Sequence, residues 1–369
     1  MIYKQLGKTG KAVSAIGFGC MRFKKEEYEA GNLDKSAELI FRARELGINY
    51  IDTAPGYCDD MSELIVGHAF KQMKDRPYIS TKCGPWNAQD ADGARRMVEQ
   101  SLTRLHVDKL TIYNMWCIKS IEEYEFFLKK GGVYEGIVKA RDEGLIEHIC
   151  CSTHIDGKGL AQIVADDRVE SVTLGYNALN FAYRREGVEA CHNSGKGVVV
   201  MNPLGGGIIP QHPELFAFIK SNPEQSIVDA ALRFLIGQPE ISVALPGISS
   251  IAELEECVKA ANDVKPVTAE TLAAMKLSLS EKLNTLCTGC AYCDECPVDI
   301  PIPKLMDSFN EAILSGDKLQ AAYDKAQNHW GIGGADAKAQ AQKCIECGRC
   351  EGLCTQKLPI IERLKLLAG

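Results

Sequence analysis

Over its first 262 residues the chain repeats one unit: an apolar run of strand length, a loop, then a stretch with apolar residues at three- and four-residue spacing. The runs fall at 15–19, 48–52, 78–82, 110–115, 148–152, 171–176, 197–201 and 241–245. Helical spacing is plainest over 33–46, 62–73, 91–105 and 226–236. These alternating patterns predict strands and helices in turn. Eight such units in roughly 250 residues have the size and rhythm of a (β/α)8 TIM barrel. An open doubly wound sheet wants a glycine-rich fingerprint after its first strand. Gly17-Phe18-Gly19-Cys20 lacks the third glycine and does not open a helix directly. Residues 1–10, with Gly7 and Gly10 at turns, read as a hairpin laid across the barrel floor.

The rhythm stops near 262, and the domains expected are 1–262 and 263–369. Residues 263–285 read as a connecting helix with Thr268 as its N-cap. Two cysteine runs follow: Cys287, Cys290, Cys293 and Cys296, then Cys344, Cys347, Cys350 and Cys354. A C-x2-C-x2-C core lets three thiolates grip one iron–sulfur cluster, with a fourth cysteine trailing. Zinc pairs two such knuckles and has no use for four cysteines at successive two-residue gaps. Between and after the runs lie helical patterns at 303–314, 318–328 and 358–367 and a glycine-rich break at 331–334. The fold class is thus α/β: a barrel followed by a small, mainly α-helical iron–sulfur domain.

Composition narrows the setting. Charged residues are 25% and apolar ones 46%, the mix of a soluble globular protein. A net charge of −7 argues against nucleic acid as a partner, and no apolar run has the ~18–20 residues of a membrane span. Sixteen cysteines, behind an N-terminus without the apolar core of a signal peptide, point to a reducing cytoplasm. Oxygen-labile clusters suit an anaerobic or low-oxygen host.

In such a barrel reactive groups sit at strand C-termini and in the loops that follow. The second strand ends in Asp52-Thr53-Ala54-Pro55-Gly56-Tyr57 and the third in Ser80-Thr81-Lys82. Gly17-Phe18-Gly19-Cys20-Met21-Arg22 follows the first, and Ser62-Glu63 with Gly67 opens the helix after the second. Asn202-Pro203-Leu204-Gly205 and Leu245-Pro246-Gly247 follow the seventh and eighth. With these residues the whole chain resembles the aldo-keto reductases, in the branch with a C-terminal 4Fe–4S ferredoxin-like extension. The resemblance implies oxidation or reduction of a small carbonyl or alcohol with a nicotinamide cofactor. It makes Tyr57 the general acid, Lys82 the cation that lowers the phenol from its usual pKa near 10, and Asp52 the group that holds Lys82. The competing reading of Asp52 and Lys82 is a structural ion pair.

Two departures from the family stand out. Its fourth catalytic residue, a His ending the fourth strand, is missing from Thr111-Ile112-Tyr113-Asn114-Met115-Trp116-Cys117. Trp116 aligns there, with Asn114 two residues earlier; an indole donates one hydrogen bond but accepts no proton. His154 is a candidate replacement. The second departure concerns the nucleotide. Ser152 keeps a nicotinamide contact, Thr153 replaces an Asn, and Met201 stands where an aromatic stacks on the ring. Asn202 and Leu204 complete that side. Gly247 and Ser249 lie in Pro246-Gly247-Ile248-Ser249-Ser250, which keeps the family's phosphate cradle of helix N-terminal amides. Glu253 replaces the basic residue that grips a 2′-phosphate, which favours NADH over NADPH.

Similarity to bacterial ferredoxins implies two 4Fe–4S clusters with crossed ligation: Cys287, Cys290 and Cys293 with Cys354, and Cys344, Cys347 and Cys350 with Cys296. Pro297 fits that pattern, whereas Thr355 replaces the second proline. A further set, Cys20, Cys58, Cys83, Cys117 and Cys150 or Cys151, falls at the expected strand ends. These are either buried small side chains or a thiolate-lined mouth for a metal or thiol chemistry.

The reading is a cytoplasmic iron–sulfur oxidoreductase for a small molecule, with clusters as relays or staples and a possible redox partner protein. A hydride donor and one-electron clusters do not exchange electrons directly. Two alternatives remain: an electron-transfer or redox-sensing protein with a lapsed barrel, and a C=C reductase or isomerase whose pocket Trp116 shapes.

Overall fold

The computed structural model describes residues 1–278 and 281–369, without the side chains of 281 and 282. Strands β1 (Tyr3–Gln5) and β2 (Ala12–Ser14) form an antiparallel hairpin with Lys4 opposite Val13. Eight parallel strands follow in sequence order: β3 (Phe18–Gly19), β4 (Tyr50–Asp52), β5 (Tyr78–Cys83), β6 (Leu110–Ile118), β7 (Ile146–Thr153), β8 (Ser171–Gly175), β9 (Gly197–Met201) and β10 (Val243–Leu245). The ring closes where the Gly17 amide donates to Ala244 O at 2.9 Å and the Ala244 amide to Ala15 O at 2.8 Å. Each of the eight expected runs overlaps one strand. They were readable because parallel strands, buried on both faces, are nearly continuous in apolar residues.

Leu6 and Val13 from the hairpin meet Tyr50, Ile112, Cys150, Val199 and Val243 in one buried layer, so the hairpin does floor the barrel. Side chains along a strand alternate sides. Two residues on, the inward positions are Asp52 after Tyr50, Asn114 after Ile112, Ser152 after Cys150 and Met201 after Val199. Two residues along the strands the apolar floor therefore gives way to a layer that carries Asp52, Asn114 and Ser152 beside Met201.

The helices Leu33–Glu45, Ser62–Gln72, Ala91–Leu105 and Ile227–Ile236 lie where the spacing predicts them. Gly67 lets two of them meet: a Cβ there would lie 2.0 Å from Arg104 O.

The chain divides into two units, Met1–Gly205 with Ile209–Leu277, and Gly206–Ile208 with Ser278–Gly369. The division falls after Leu277, so the helix Ala269–Lys276, which the sequence reading put with the second domain, groups with the barrel. The chain entering it is tied back, with the Val267 amide donating to Gly237 O at 2.9 Å. Thr268 does cap it, accepting from the Thr271 amide at 3.2 Å. Positions 279 and 280 of the expected connecting helix lie outside the described residues.

The second unit holds the helices Ile302–Leu314, Leu319–Trp330, Gly334–Gln342, Arg349–Leu353 and Ile360–Ala368. Gly334–Gln342 escaped the sequence reading because its buried residues are only Ala337 and Ala341, too small to mark a face. Among the described residues no helix is long and apolar enough to cross a membrane.

Candidate active site

At the C-terminal end of the barrel Lys82 Nζ donates to Asp52 Oδ2 at 2.6 Å and to Thr53 O at 2.7 Å. The two side chains are 2% and 8% exposed, a desolvated pair. The other Asp52 oxygen accepts from Ser80 Oγ at 2.8 Å. Asn114 Nδ2 donates to Ser80 Oγ at 3.0 Å and to Thr81 O at 3.2 Å. Strand register brings these groups together, with Asp52 beside Ser80 and Lys82 beside Asn114. The bracing by Ser80 and Asn114 was missed from sequence.

Tyr57 sits in a loop of left-handed residues, Gly56 (φ 83°), Cys58 (φ 55°), Asp59 (φ 52°) and Asp60 (φ 70°). Such conformations cost non-glycine residues energy and persist only when other contacts fix them. Here Asp59 accepts from Lys25 Nζ at 2.8 Å and from Tyr28 Oη at 3.0 Å. Asp60 accepts from the Gly56 amide at 3.1 Å and from Arg104 Nη1 at 3.0 Å. Lys82 Nζ lies 5.3 Å from the centre of the Tyr57 ring.

One expectation is corrected. The sequence reading has Lys82 lowering the Tyr57 pKa, but burial and the Asp52 carboxylate, then the thiols of Cys117, Cys20 and Cys58, push the phenol well above its usual value. The physical reason is burial, which disfavours the charged phenolate, with the negative Asp52 carboxylate adding to it.

Pairing of β6 with β7 shifts between Met115 and Ile118, and Cys117 has φ 62°. Bulges of this kind re-aim a side chain. Trp116 meets Tyr57 edge-on, ring centres 5.6 Å apart at 82°, and packs 4.9 Å from Trp86. Trp86 is 54% exposed and folds back over Gly84, where a Cβ would lie 2.7 Å from its ring. It was also missed. His154 follows β7, and burial beside Arg184 and Lys119 pushes its pKa down to about 3, so the ring is neutral at ordinary pH.

The Ser62, Glu63 and Gly67 of the family signature brace the site from behind. Glu63 accepts from Thr81 Oγ1 at 2.7 Å, and Ser62 Oγ donates to Cys20 O at 2.8 Å.

On the nucleotide side Ser152 and Thr153 are buried. The Thr153 hydroxyl is committed to backbone, donating to Ile118 O at 2.7 Å and accepting from the Ile155 amide at 3.1 Å. Met201, Asn202 and Leu204 are partly exposed in succession, and Asn202 O accepts from Asn177 Nδ2 at 2.9 Å. Gly247 lies under the stem of Arg22. Glu253 Oε2 accepts from the Ser249 amide at 2.8 Å and from Ser249 Oγ at 2.9 Å. The carboxylate therefore already fills part of the amide cradle.

All but Cys58 of the cysteines expected at the strand ends are buried packing residues; Cys58 is half-buried, its thiol donating to Cys20 O at 3.5 Å. Cys20, Cys83, Cys117, Cys150 and Cys151 are buried, and Cys150 lies in the floor layer, away from the mouth. Burial pushes Cys83 and Cys150 up to about 12 and Cys20 well above its usual value, so these are thiols and not thiolates.

In the second unit Cys287, Cys293 and Cys354 are buried and Cys290 partly so. Cys293 interacts electrostatically with Cys287, Cys290 and Cys354. Asn310 brackets the Cys287 peptide, accepting from its N–H at 2.8 Å and donating to its carbonyl at 2.9 Å. The Leu358 amide donates to Cys354 Sγ at 3.4 Å. Cys296, Cys344, Cys347 and Cys350 together line one small cavity with Pro297 and Ile300. Among the described residues no three His, Cys, Asp or Glu groups could hold a single metal ion. Thiols that ring a cavity in fours suit a cluster, whose ligands stand further apart than those of one zinc.

Comparison with known proteins agrees. The model of the Aldo/keto reductase family matches residues 15–280, and that of a 4Fe-4S dicluster domain matches residues 286–359. An uncharacterized oxidoreductase of Bacillus subtilis is 24% identical over 310 residues, 74% of this chain and 95% of the relative. L-galactose dehydrogenase of Arabidopsis thaliana is 27% identical over 316 residues, 76% and 95% of the two chains. An aldo-keto reductase of Klebsiella pneumoniae, solved in complex with NADPH, superposes with a TM-score of 0.62 at 22% identity, over 76% of this chain and 97% of that one.

Proposed function

The chain belongs to the aldo/keto reductase family and carries a C-terminal 4Fe–4S domain, and from that premise we propose that it is a nicotinamide-dependent oxidoreductase of small carbonyls or alcohols with Tyr57 as its proton donor. The observation that carries this is the Asp52–Lys82 pair buried beneath Tyr57 at adjoining strand ends. A bound nicotinamide supplies or takes up the hydride. In the reducing direction Tyr57 gives its proton to the substrate oxygen. Its raised pKa is no obstacle, since an alkoxide is a stronger base than a phenolate. Asp52, Ser80 and Asn114 hold Lys82 beneath the ring, where the pair forms the polar floor of the site. Trp116 walls the pocket where the family His is missing, and Trp86 extends that wall outward.

Ser152, Thr153, Met201, Asn202 and Leu204 would hold the nicotinamide side, and Gly247, Ser249 and Glu253 the adenosine side. NADH is the preferred form. Glu253 sits as an internal anion in the cradle a 2′-phosphate would need. Like charges about 4 Å apart at an effective dielectric near 20 repel by ~4 kcal/mol. A relative covering 55% of this chain at 28% identity is named NADH-specific methylglyoxal reductase, from Escherichia coli.

Two clusters with crossed ligation fit the second unit, one on Cys287, Cys290, Cys293 and Cys354, the other on Cys296, Cys344, Cys347 and Cys350. Exposed Cys347 supports exchange with a redox partner protein at the second, and a chain this rich in cysteine suits a reducing, cytoplasmic setting.

Anaerobic titration of the iron-loaded protein with NADH and NADPH, following nucleotide and cluster absorbance, tests the reading. NADH should bind more tightly, and Glu253→Arg should reverse the order. Tighter NADPH binding, or no change on Glu253→Arg, would refute the preference. Binding of neither nucleotide would hand first place to the electron-transfer alternative. Iron and sulfide near eight of each per chain are expected for two clusters.

A further inference from the structure

Arg363 lies in the first turn of the helix Ile360–Ala368 and is only 4% exposed. A cation is poorly placed there twice over. The first turn of a helix favours negative charge, and a buried charge is costly unless paired. Arg363 Nη2 donates to Thr285 O at 2.6 Å, and the guanidinium stands 5.3 Å from the centre of the Phe309 ring. Buried Nη1 has no hydrogen-bond partner among the described residues. Thr285 stands two residues before Cys287, and Phe309 adjoins Asn310, which clamps the Cys287 peptide. The guanidinium is therefore a buried cation with an unused donor on the side of a proposed cluster ligand, and the Cys287 and Cys354 sulfurs act on it electrostatically.

We propose that Arg363 is the countercharge of the cluster held by Cys287, Cys290, Cys293 and Cys354, with Nη1 as a donor to it, and that it raises that cluster's reduction potential. This rests on the two-cluster reading above. A cluster on four thiolates carries net negative charge that grows on reduction, so a buried neighbouring cation favours the reduced form. Hydrogen bonds to cluster sulfurs act in the same direction. The other cysteine set differs. The arginine lining its cavity, Arg349, is 54% exposed and paired with Glu295, so its charge is screened. Arg363 is a positioning residue in this scheme, acting on the cluster and not on substrate.

The test is an anaerobic redox titration of the iron-loaded full chain, followed by electron paramagnetic resonance. Arg363→Gln keeps an N–H for Thr285 O and removes the charge. It should lower the reduced-to-oxidised ratio of one cluster signal about tenfold at fixed potential, ~59 mV for one electron. The second signal should stay in place, and Arg349→Gln should move neither as far. If iron-replete Arg363→Gln leaves both signals unmoved, or moves both together, the proposal is overturned. If Arg363→Gln fails to load iron, loading by Arg363→Lys supports a need for charge, and failure of both variants points to a purely structural arginine. Iron near four per chain in the wild type, with one signal, removes the two-cluster premise before any variant is made.

Discussion

The sixteen cysteines fall equally into the two units, and the same side chain is used in opposite ways. In the barrel Cys150 packs among Tyr50, Ile112 and Val199, with the Ser171 hydroxyl donating to it at 2.8 Å and the Ser171 and Glu170 amides beside it. In the second unit Cys287 has its peptide clamped by Asn310, Cys354 receives the Leu358 amide, and both sulfurs act electrostatically on buried Arg363. Burial alone does not separate the two uses, since it lifts both Cys150 and Cys287 to about 12. What separates them is the company each keeps: the Cys290 and Cys354 sulfurs and the Arg363 guanidinium act on Cys287, whereas Cys150 is set in an apolar layer. A ligand thiolate and the charge it gathers need such a cation. The barrel thus stands on packed apolar layers, and in the second unit the proposed ligation adds to a smaller apolar core of Leu305, Met306 and Leu364.

The largest expected effect breaks that symmetry outright. Anaerobic removal of iron with a chelator should make the region from Ser278 onward protease-sensitive while the barrel stays resistant, because metal binding is folding energy for such sites. Loss of both together, or of neither, would contradict the division. Next comes the barrel's own chemistry. Tyr57→Phe should cut turnover by ~10²–10⁴-fold while iron content and melting stay unchanged. The sign of the pH dependence follows from the raised phenol pKa. The proton donor stays protonated as pH rises past the usual tyrosine value, so turnover should show no loss from this group below about pH 10. A fall in rate with an apparent pKa near 8 that vanishes in Tyr57→Phe would contradict it.

Much of this was legible in the sequence. The eight strands and the proposed ligand cysteines announce themselves by spacing, because closed parallel strands and clusters both demand regular spacing, and the family resemblance supplied the Asp52–Lys82 pair. What stayed hidden depends on geometry that spacing does not carry. Ser80 and Asn114 brace Asp52 only through strand register. Trp86 reaches Trp116 only because Gly84 leaves room. Arg363 and Asn310 are single polar residues inside helices, indistinguishable in sequence from solvated ones. The direction of the Tyr57 shift needed the burial of the phenol and the position of Asp52 relative to it. Resemblance supplied Lys82 as its neighbour but not that burial.

A smaller effect tests whether the barrel's stability is a matter of packing alone. Gly67→Ala places a methyl 2.0 Å from Arg104 O, a backbone atom that cannot swing away. The helices Ser62–Gln72 and Ala91–Leu105 must then separate, at a cost of ~1–3 kcal/mol as for other overpacked sites. Thermal unfolding of the barrel should fall accordingly, and iron content should not. Unchanged unfolding would mean that the close approach is not maintained in solution.

The smallest effect bears most directly on the comparison. Cys150→Ala removes one sulfur from an apolar layer and leaves the Ser171 hydroxyl without its partner. The loss should be about 1 kcal/mol, the scale of one net hydrogen bond plus a small void. Iron per chain, cluster spectra and nucleotide binding should match the wild type. Cys287→Ala deletes the same atoms from a site of similar burial, yet it should lose a cluster and the protease resistance of the second unit. If Cys150→Ala also lowered iron content, the barrel thiols would belong with the ligands, and environment would no longer distinguish the two populations. If both substitutions were mild, the second unit would be standing on its helices and not on iron. Only a mild Cys150→Ala beside a severe Cys287→Ala fits a chain that packs half its cysteines and ligates with the rest.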